Sequence, residues 1–248
     1  MIRGIYAAAS GMVAESTRND VTANNLANAN TAGFKKDIAV SRDFASVLIQ
    51  RINDGQSAPT IGSLGSGAQI DEIATIHSDG AFRETGNDFD MALDGQGFFV
   101  IQTPNGLRYT RNGSFSRSGA GELVTGDGHR VLGQNGQPIA IDGGKLTVAA
   151  DGAISVDGLE VNRLQIVGFA NEKQLTKEGN SLYAAPNGLQ AQQAAATVNQ
   201  GYLEMSNVNI VAEMINMING FRAYEVNGKS VQAHDQLLDK AVNEVGRV

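Results

Sequence analysis

The spacing of apolar residues changes twice along this chain, and that change limits the fold more than any single motif. From residue 2 to about 28, and again after Val208, apolar residues recur at helical spacing; from about 68 to 200 the period is two. A chain divided in this way predicts an α+β protein: a helix at each end, and a mostly antiparallel β-domain inserted between them. The first stripe is Ile2, Ile5, Ala9, Met12 or Val13, Ser16, Asn19 or Asp20, Ala23 and Leu26. It is thin, and its second half is small or polar. Helix stability comes mostly from packing an apolar face, so this helix needs a cover. At about 1.5 Å per residue it would run roughly 40 Å. Asn28, Asn30 and Gly33 are placed to stop it, since Asn and Gly tolerate the left-handed cap.

The last helix carries a stronger stripe of Val211, Met214, Ile215, Ile218 and Phe221, continued sparsely by Val231, Leu238, Val242 and Val245. Ser206 or Asn207 is its expected N-cap. Residues 34–56 are expected to keep helical character through Phe34, Ile38, Phe44, Val47, Leu48 and Ile52, ahead of a Gly- and Ser-rich loop over 55–67.

In the middle, the segments 69–77, 97–101, 108–111, 122–125, 129–132, 138–141, 145–148, 153–156 and 163–169 read as short strands. Asn105-Gly106, Asn112-Gly113, Asp127-Gly128, Asn135-Gly136, Asp142-Gly143, Asp151-Gly152 and Asp157-Gly158 punctuate them. Asx-Gly is favoured where both central turn residues need positive φ. Thirty glycines against four prolines fit tight turns better than disorder.

A length of 248 residues is enough to bury a sizeable core. The absence of cysteine excludes disulfides, thiolate metal sites and a thiol nucleophile. A net charge of −7 and a pI near 5.0 disfavour a nucleic-acid surface. Arg3 precedes an apolar stretch, as in a signal peptide, but Ser10, Gly11, Glu15 and Arg18 interrupt it and no cleavable signal is expected. No segment approaches the roughly 20 apolar residues that span a bilayer.

Catalytic and metal-binding patterns fail one by one. His77, His129 and His234 lie in separate segments without a ligand pair. Asp88, Asp90 and Asp94 resemble a calcium loop only in composition; their spacing does not follow an EF-hand, and they read as turn carboxylates. Gly62, Gly65 and Gly67 miss the spacing of a dinucleotide fingerprint. No Gly-x-Ser-x-Gly elbow occurs. Phe98, Phe99, Tyr109 and Phe115 read as core, and without Trp nothing supports a sugar platform. No catalytic residue, metal or cofactor is expected.

Ser10-Gly11-Met12 with Asn24-Asn25-Leu26-Ala27-Asn28, then Thr31 and Gly33-Phe34-Lys35, resembles the N-terminal motif of the bacterial flagellar rod and hook axial family. Gly201-Tyr202-Leu203-Glu204-Met205-Ser206-Asn207-Val208, then Met214 and Arg222-Ala223-Tyr224-Glu225, resembles its C-terminal motif. Between them, Thr85-Gly86-Asn87, Leu93-Asp94-Gly95-Gln96-Gly97-Phe98-Phe99, Tyr109-Thr110-Arg111-Asn112-Gly113-Ser114-Phe115 and Leu175-Thr176-Lys177-Glu178-Gly179 agree as well. The likeness spans nearly the whole chain in order. Within the family it favours the proximal-rod type, with the distal-rod type next; hook proteins have a longer middle, and the short inner-end rod proteins lack such a β-domain.

The resemblance implies a structural subunit of a tubular polymer that crosses the periplasm and transmits torque. It implies a coiled-coil-like axial domain of residues 1–32 and 205–248, a connecting segment 33–75 and a β-rich outer domain 76–204. It implies assembly with itself and other rod and hook subunits, export by the flagellar export apparatus without a cleaved signal, and ring proteins around the rod. Assembly contacts are expected at Ile5, Met12, Asn24, Asn25, Leu26, Asn28, Gly33, Phe34, Leu203, Glu204, Ser206, Asn207, Val208, Val211, Met214, Ile215, Ile218 and Arg222. Two readings of a different class stand beside it: a monomeric β-rich periplasmic binding module and a hydrolase.

Overall fold

The structure is a computed structural model that describes residues 2–43, 47–50, 60–186 and 188–245. The chain is α+β and divides into two contact units. One comprises Met1–Ala27, Asp37–Ala74 and Asn209–Val248; the other comprises Asn28–Lys36 and Thr75–Val208.

The first unit is built on α1 (Ile2–Ala27) and α2 (Ile210–Lys240), which pack along one another, with a π-helical turn at Ala241–Val245. It also holds β1 (Asp37–Asp43), β2 (Val47–Gln50), β3 (Thr60–Leu64) and β4 (Ala68–Thr75), where β1 pairs with β4 and β2 pairs antiparallel with β3. The helix expected over 34–56 is not formed where the segment is described: 34–36 are irregular, and 37–43 and 47–50 are strands; Phe44 and Ile52 lie outside the described residues. In Asp37-Ile38-Ala39-Val40 the β-branched residues alternate, and β4 supplies the hydrogen-bonding edge.

The cap of α2 also differs from expectation. Asn209 is the N-cap, and its side chain accepts from the Ala212 N–H at 3.1 Å. Asn207 is unavailable because its Oδ1 accepts from the Lys36 N–H at 2.8 Å, while its amide nitrogen donates to the Ile76 and Ser78 carbonyls at 2.9 and 3.0 Å. Ser206 instead accepts from the Val208 N–H at 3.3 Å.

The second unit contains β5 (Phe82–Glu84), β6 (Met91–Asp94), β7 (Phe98–Thr103), β8 (Gly106–Thr110), β9 (Phe115–Arg117), β10 (Leu123–Thr125), β11 (Arg130–Val131) and β12 (Leu146–Val148). It continues with β13 (Ala153–Val156), β14 (Leu159–Arg163), β15 (Ile166–Gly168), β16 (Thr176–Lys177), β17 (Leu182–Ala184), β18 (Gln192–Gln193), β19 (Thr197–Gln200) and β20 (Tyr202–Glu204). The main sheet runs β16-β17-β8-β7-β11-β10-β9, and β15 bridges β7 to β18. The strands β12-β13-β14 form a second sheet, and β19-β6 and β20-β5 form pairs. Pro138 and Ala140 make only isolated bridges, so 138–141 is not a strand, although Ile139 and Ile141 are buried.

Strand β7 organises this unit because both of its faces are buried. Phe99 lies in a cluster with Met91, Leu93, Phe115, Leu123 and Ile154. Phe98 and Val100 point the other way, into a cluster with Tyr109, Leu132, Phe169 and Tyr183. Successive side chains of a strand alternate faces, so a continuous apolar run is what a doubly covered strand requires. The four aromatics expected in the core are all buried. Of the Asx-Gly turns expected from the sequence, only Asp157-Gly158 places both residues at positive φ (52° and 84°). At Asn135-Gly136 the glycine alone does so, while Asn135 Oδ1 accepts from the Gln137 N–H at 3.0 Å.

Candidate functional site

Four of the sequence motifs converge on one buried ionic cluster in the second unit. Lys35 follows the glycine that turns the chain after α1, and its Nζ lies 2.5 Å from Glu204 Oε1 and 2.8 Å from the Ser78 carbonyl. Glu204 ends β20, and its Oε1 also accepts from the Gly80 N–H at 2.9 Å. Arg111 follows β8; its guanidinium donates to the Leu93 and Gly95 carbonyls at 3.1 and 2.6 Å, to Glu204 Oε2 at 3.5 Å and to Asp79 Oδ1 at 3.2 Å. The Lys35, Arg111 and Glu204 side chains are nearly inaccessible, whereas that of Asp79 is 48% exposed. Burial pushes the Lys35 ammonium below its ordinary range; Glu204 opposes this, Arg111 adds to it and Asp79 opposes it.

The flanking residues tighten the arrangement. The Gly33 N–H donates to the Glu204 carbonyl at 2.8 Å. Gly33 has φ +66°, and a Cβ there would overlap the Asn112 backbone nitrogen, so only glycine fits. Lys177 places its ammonium 3.7 Å from the centre of the Phe34 ring and donates to the Lys35 carbonyl at 2.8 Å. Glu178 pairs with Arg108 at 2.6 Å. Beside the cluster, Thr75, Ile76, His77, Phe169 and Glu172 help to line an open cavity of about 400 Å³. Burial raises the Glu172 carboxyl above its ordinary range, partly offset by Arg111 and Lys35.

In the first unit, Asn25 is buried and its side chain engages Asp37 twice, donating to the carbonyl at 2.7 Å and accepting from the N–H at 2.9 Å. Asn24 is exposed, while Ile5, Met12 and Leu26 are partly buried. On α2, Val211, Met214, Ile215, Ile218 and Phe221 are between 48% and 66% exposed, and Arg222 is exposed. The buried positions of α2 are Glu213 and Gly220 instead.

The eighteen expected contact residues thus fall into separate groups. Gly33, Phe34, Leu203 and Glu204 are buried together in the second unit, where Asn28, Ser206, Asn207 and Val208 are partly buried. Asn25 is buried in the first unit. The stripe of α2 is open. Sequence reasoning missed Lys35, Asp79 and Arg111 as one cluster; the available signal was Lys35 and Arg111, charged residues inside otherwise conformational motifs, and nothing in the sequence singles out Asp79. Among the described residues, no group of three or more His, Asp or Glu side chains could hold a metal, and no helix is long and apolar enough to cross a membrane.

Comparison with known proteins agrees with this distribution of motifs. The family described as "Flagella basal body rod protein" matches residues 5–35, "Flagellar hook protein FlgE/F/G D1 domain" matches 92–156, and "Flagellar basal body rod FlgEFG protein C-terminal" matches 199–244. The chain is 38% identical over 264 residues to the flagellar basal-body rod protein FlgG of Bacillus subtilis (strain 168), covering 98% of this chain and 99% of the relative. It is 34% identical over 264 residues to FlgG of Borreliella burgdorferi, covering 98% of each. It is 36% identical over 233 residues to the flagellar basal-body rod protein FlgF of Caulobacter vibrioides, covering 92% of each. With end-to-end relatives at this identity, the chain belongs to the flagellar basal-body rod proteins of the FlgG and FlgF type, and is a structural rod subunit, not an enzyme.

Proposed function

We propose that this subunit polymerises into the tubular drive shaft through its terminal helices, with α2 presenting its apolar stripe to neighbouring subunits in a coiled-coil-like axial layer. One observation carries the reading: Val211, Met214, Ile215, Ile218 and Phe221 are exposed, while the same helix buries Glu213 and Gly220. Amphipathic helices normally do the reverse. Covering a Val, Leu, Ile or Phe side chain is worth roughly 1.5–3 kcal/mol, so a few such contacts repeated at every interface decide whether a polymer forms.

The proposed roles are axial pairing for 1–32 and 205–248, connection for 33–75 and the β-rich domain for 76–204. Ile5, Met12, Asn24, Leu26, Asn28, Ser206, Asn207, Val208 and Arg222 flank or extend the contact surface. Asn25, Gly33, Phe34, Leu203 and Glu204 act indirectly, by fixing the backbone that carries it. The partners are further copies and other rod and hook subunits, with the flagellar export apparatus and the surrounding rings as transient or lateral contacts. The place of work is the periplasmic rod, reached without a cleaved signal. The short segment after Tyr183 supports the proximal position. Ile215→Asp tests the reading: it should leave the β-rich unit folded and abolish polymerisation. A purified variant that still polymerises, or that restores rods in a null strain, overturns it.

A further inference from the structure

The face of α2 that meets α1 has its own pattern. Glu213, Gly220, Asn227 and His234 stand seven residues apart, and Glu213 and Gly220 are the buried residues of the helix. At three of these positions α1 complements α2: Gly4 lies under His234, Gly11 lies under Asn227, and Asn19 lies over Gly220. A Cβ built on Gly4 would lie 2.5 Å from His234 Nε2, and one on Gly11 would lie 2.9 Å from Asn227 Nδ2. A Cβ on Gly220 would overlap Asn19 Oδ1. The order of these contacts along the two helices makes them antiparallel. Asn19 is only 9% exposed, and its Oδ1 has no hydrogen-bond partner among the described residues; the same holds for the buried Nδ1 of His234.

We propose that this alternation is a register code through which α1 selects its own chain's α2 in one antiparallel alignment. A polar residue in a helix seam fixes register and orientation at a cost in stability, and unpartnered amide and imidazole atoms have that cost. Slipping the pair by seven residues one way sets Asn19 against Asn227. Slipping it the other way leaves Gly11 facing Gly220 and sets Asn19 against the Glu213 carboxylate. Only the observed alignment gives Asn19, Asn227 and His234 each a glycine to lie on. The code is independent of the exposed apolar stripe, which lies elsewhere on α2.

The full-length chain has no cysteine, so an introduced pair reports alignment without background. Under mild oxidation, Gly11→Cys with Asn227→Cys should form an intramolecular disulfide. Gly4→Cys with Asn227→Cys, displaced by one heptad, should not. Adding Gly220→Asn to the first pair sets two amides against each other and should abolish the crosslink; combining it with Asn19→Gly should restore the crosslink. Far-UV circular dichroism on the same variants should show helix content lost and regained in parallel. Failure of the first pair to crosslink, crosslinking of the displaced pair, an unaffected Gly220→Asn variant or an unrestored swap each overturns the code.

Discussion

Lys35 and Glu204 stand 169 positions apart in sequence, and their charged groups meet at 2.5 Å with both side chains shut off from solvent. The pair ties the turn after α1 to the end of β20. Glu204 also serves the Gly80 N–H and Arg111, so neutralising it removes the buried counter-charge of two cations at once and leaves them only the half-exposed Asp79. Glu204→Gln should therefore destabilise the chain by about 3–5 kcal/mol, read as a lower urea midpoint with unchanged slope. Asp79→Asn, at the exposed rim, should cost no more than about 1 kcal/mol.

Gly33 and Gly86 have nearly the same φ, +66° and +69°, but different surroundings. A Cβ on Gly86 meets nothing within 4 Å, while one on Gly33 meets the Asn112 backbone. Gly86→Ala should cost roughly 1–2 kcal/mol, the strain of a left-handed alanine. Gly33→Ala should cost clearly more, because backbone must also move. Thermal unfolding of the two variants side by side gives the comparison.

Glu172 supplies a pH test. Burial raises its folded pKa above the unfolded value, so the folded state holds the proton more tightly. Its contribution to stability is thus greatest below the unfolded pKa and is lost as pH rises through the folded one. Glu172→Gln should melt higher than the parent at neutral pH, and the difference should close as pH falls toward 4.5 and below. A gap independent of pH would show that packing, not ionisation, separates the two proteins.

Phe99 and Phe221 are the same residue type in opposite situations, one fully buried and one 58% exposed. Phe99→Ala should lower stability by about 3–5 kcal/mol. Phe221→Ala should change monomer stability by less than about 0.5 kcal/mol and instead weaken polymerisation, seen as a higher critical concentration in sedimentation.

Much of this architecture was legible because long periodic segments announce themselves. Helix α1 ends at Ala27, close to the expected position, and the run at 97–101 is a doubly buried strand. The misreadings share a cause: the deciding partner lies far away in sequence. Residues 37–43 looked like a sparse helix because β4, the strand they pair with, begins only at Ala68. Asn207 reads as a cap from its neighbours alone, but the Lys36 N–H, 171 positions away, occupies its side-chain oxygen. The ionic cluster was invisible for the same reason, since Lys35, Asp79, Arg111 and Glu204 come from four separate segments.

The nine residues Asn28–Lys36 belong to the β-rich unit although the chain on either side of them belongs to the other one. Anyone dissecting this protein at a single cut point would therefore obtain a damaged fragment. A piece starting at Thr75 would lack Gly33, Phe34 and Lys35, leaving Lys177 without its ring and Glu204 without its ammonium. A separable β-rich fragment has to carry that peptide, grafted or supplied in trans, and the affinity for the added peptide would measure how strongly the rod motif holds its own fold.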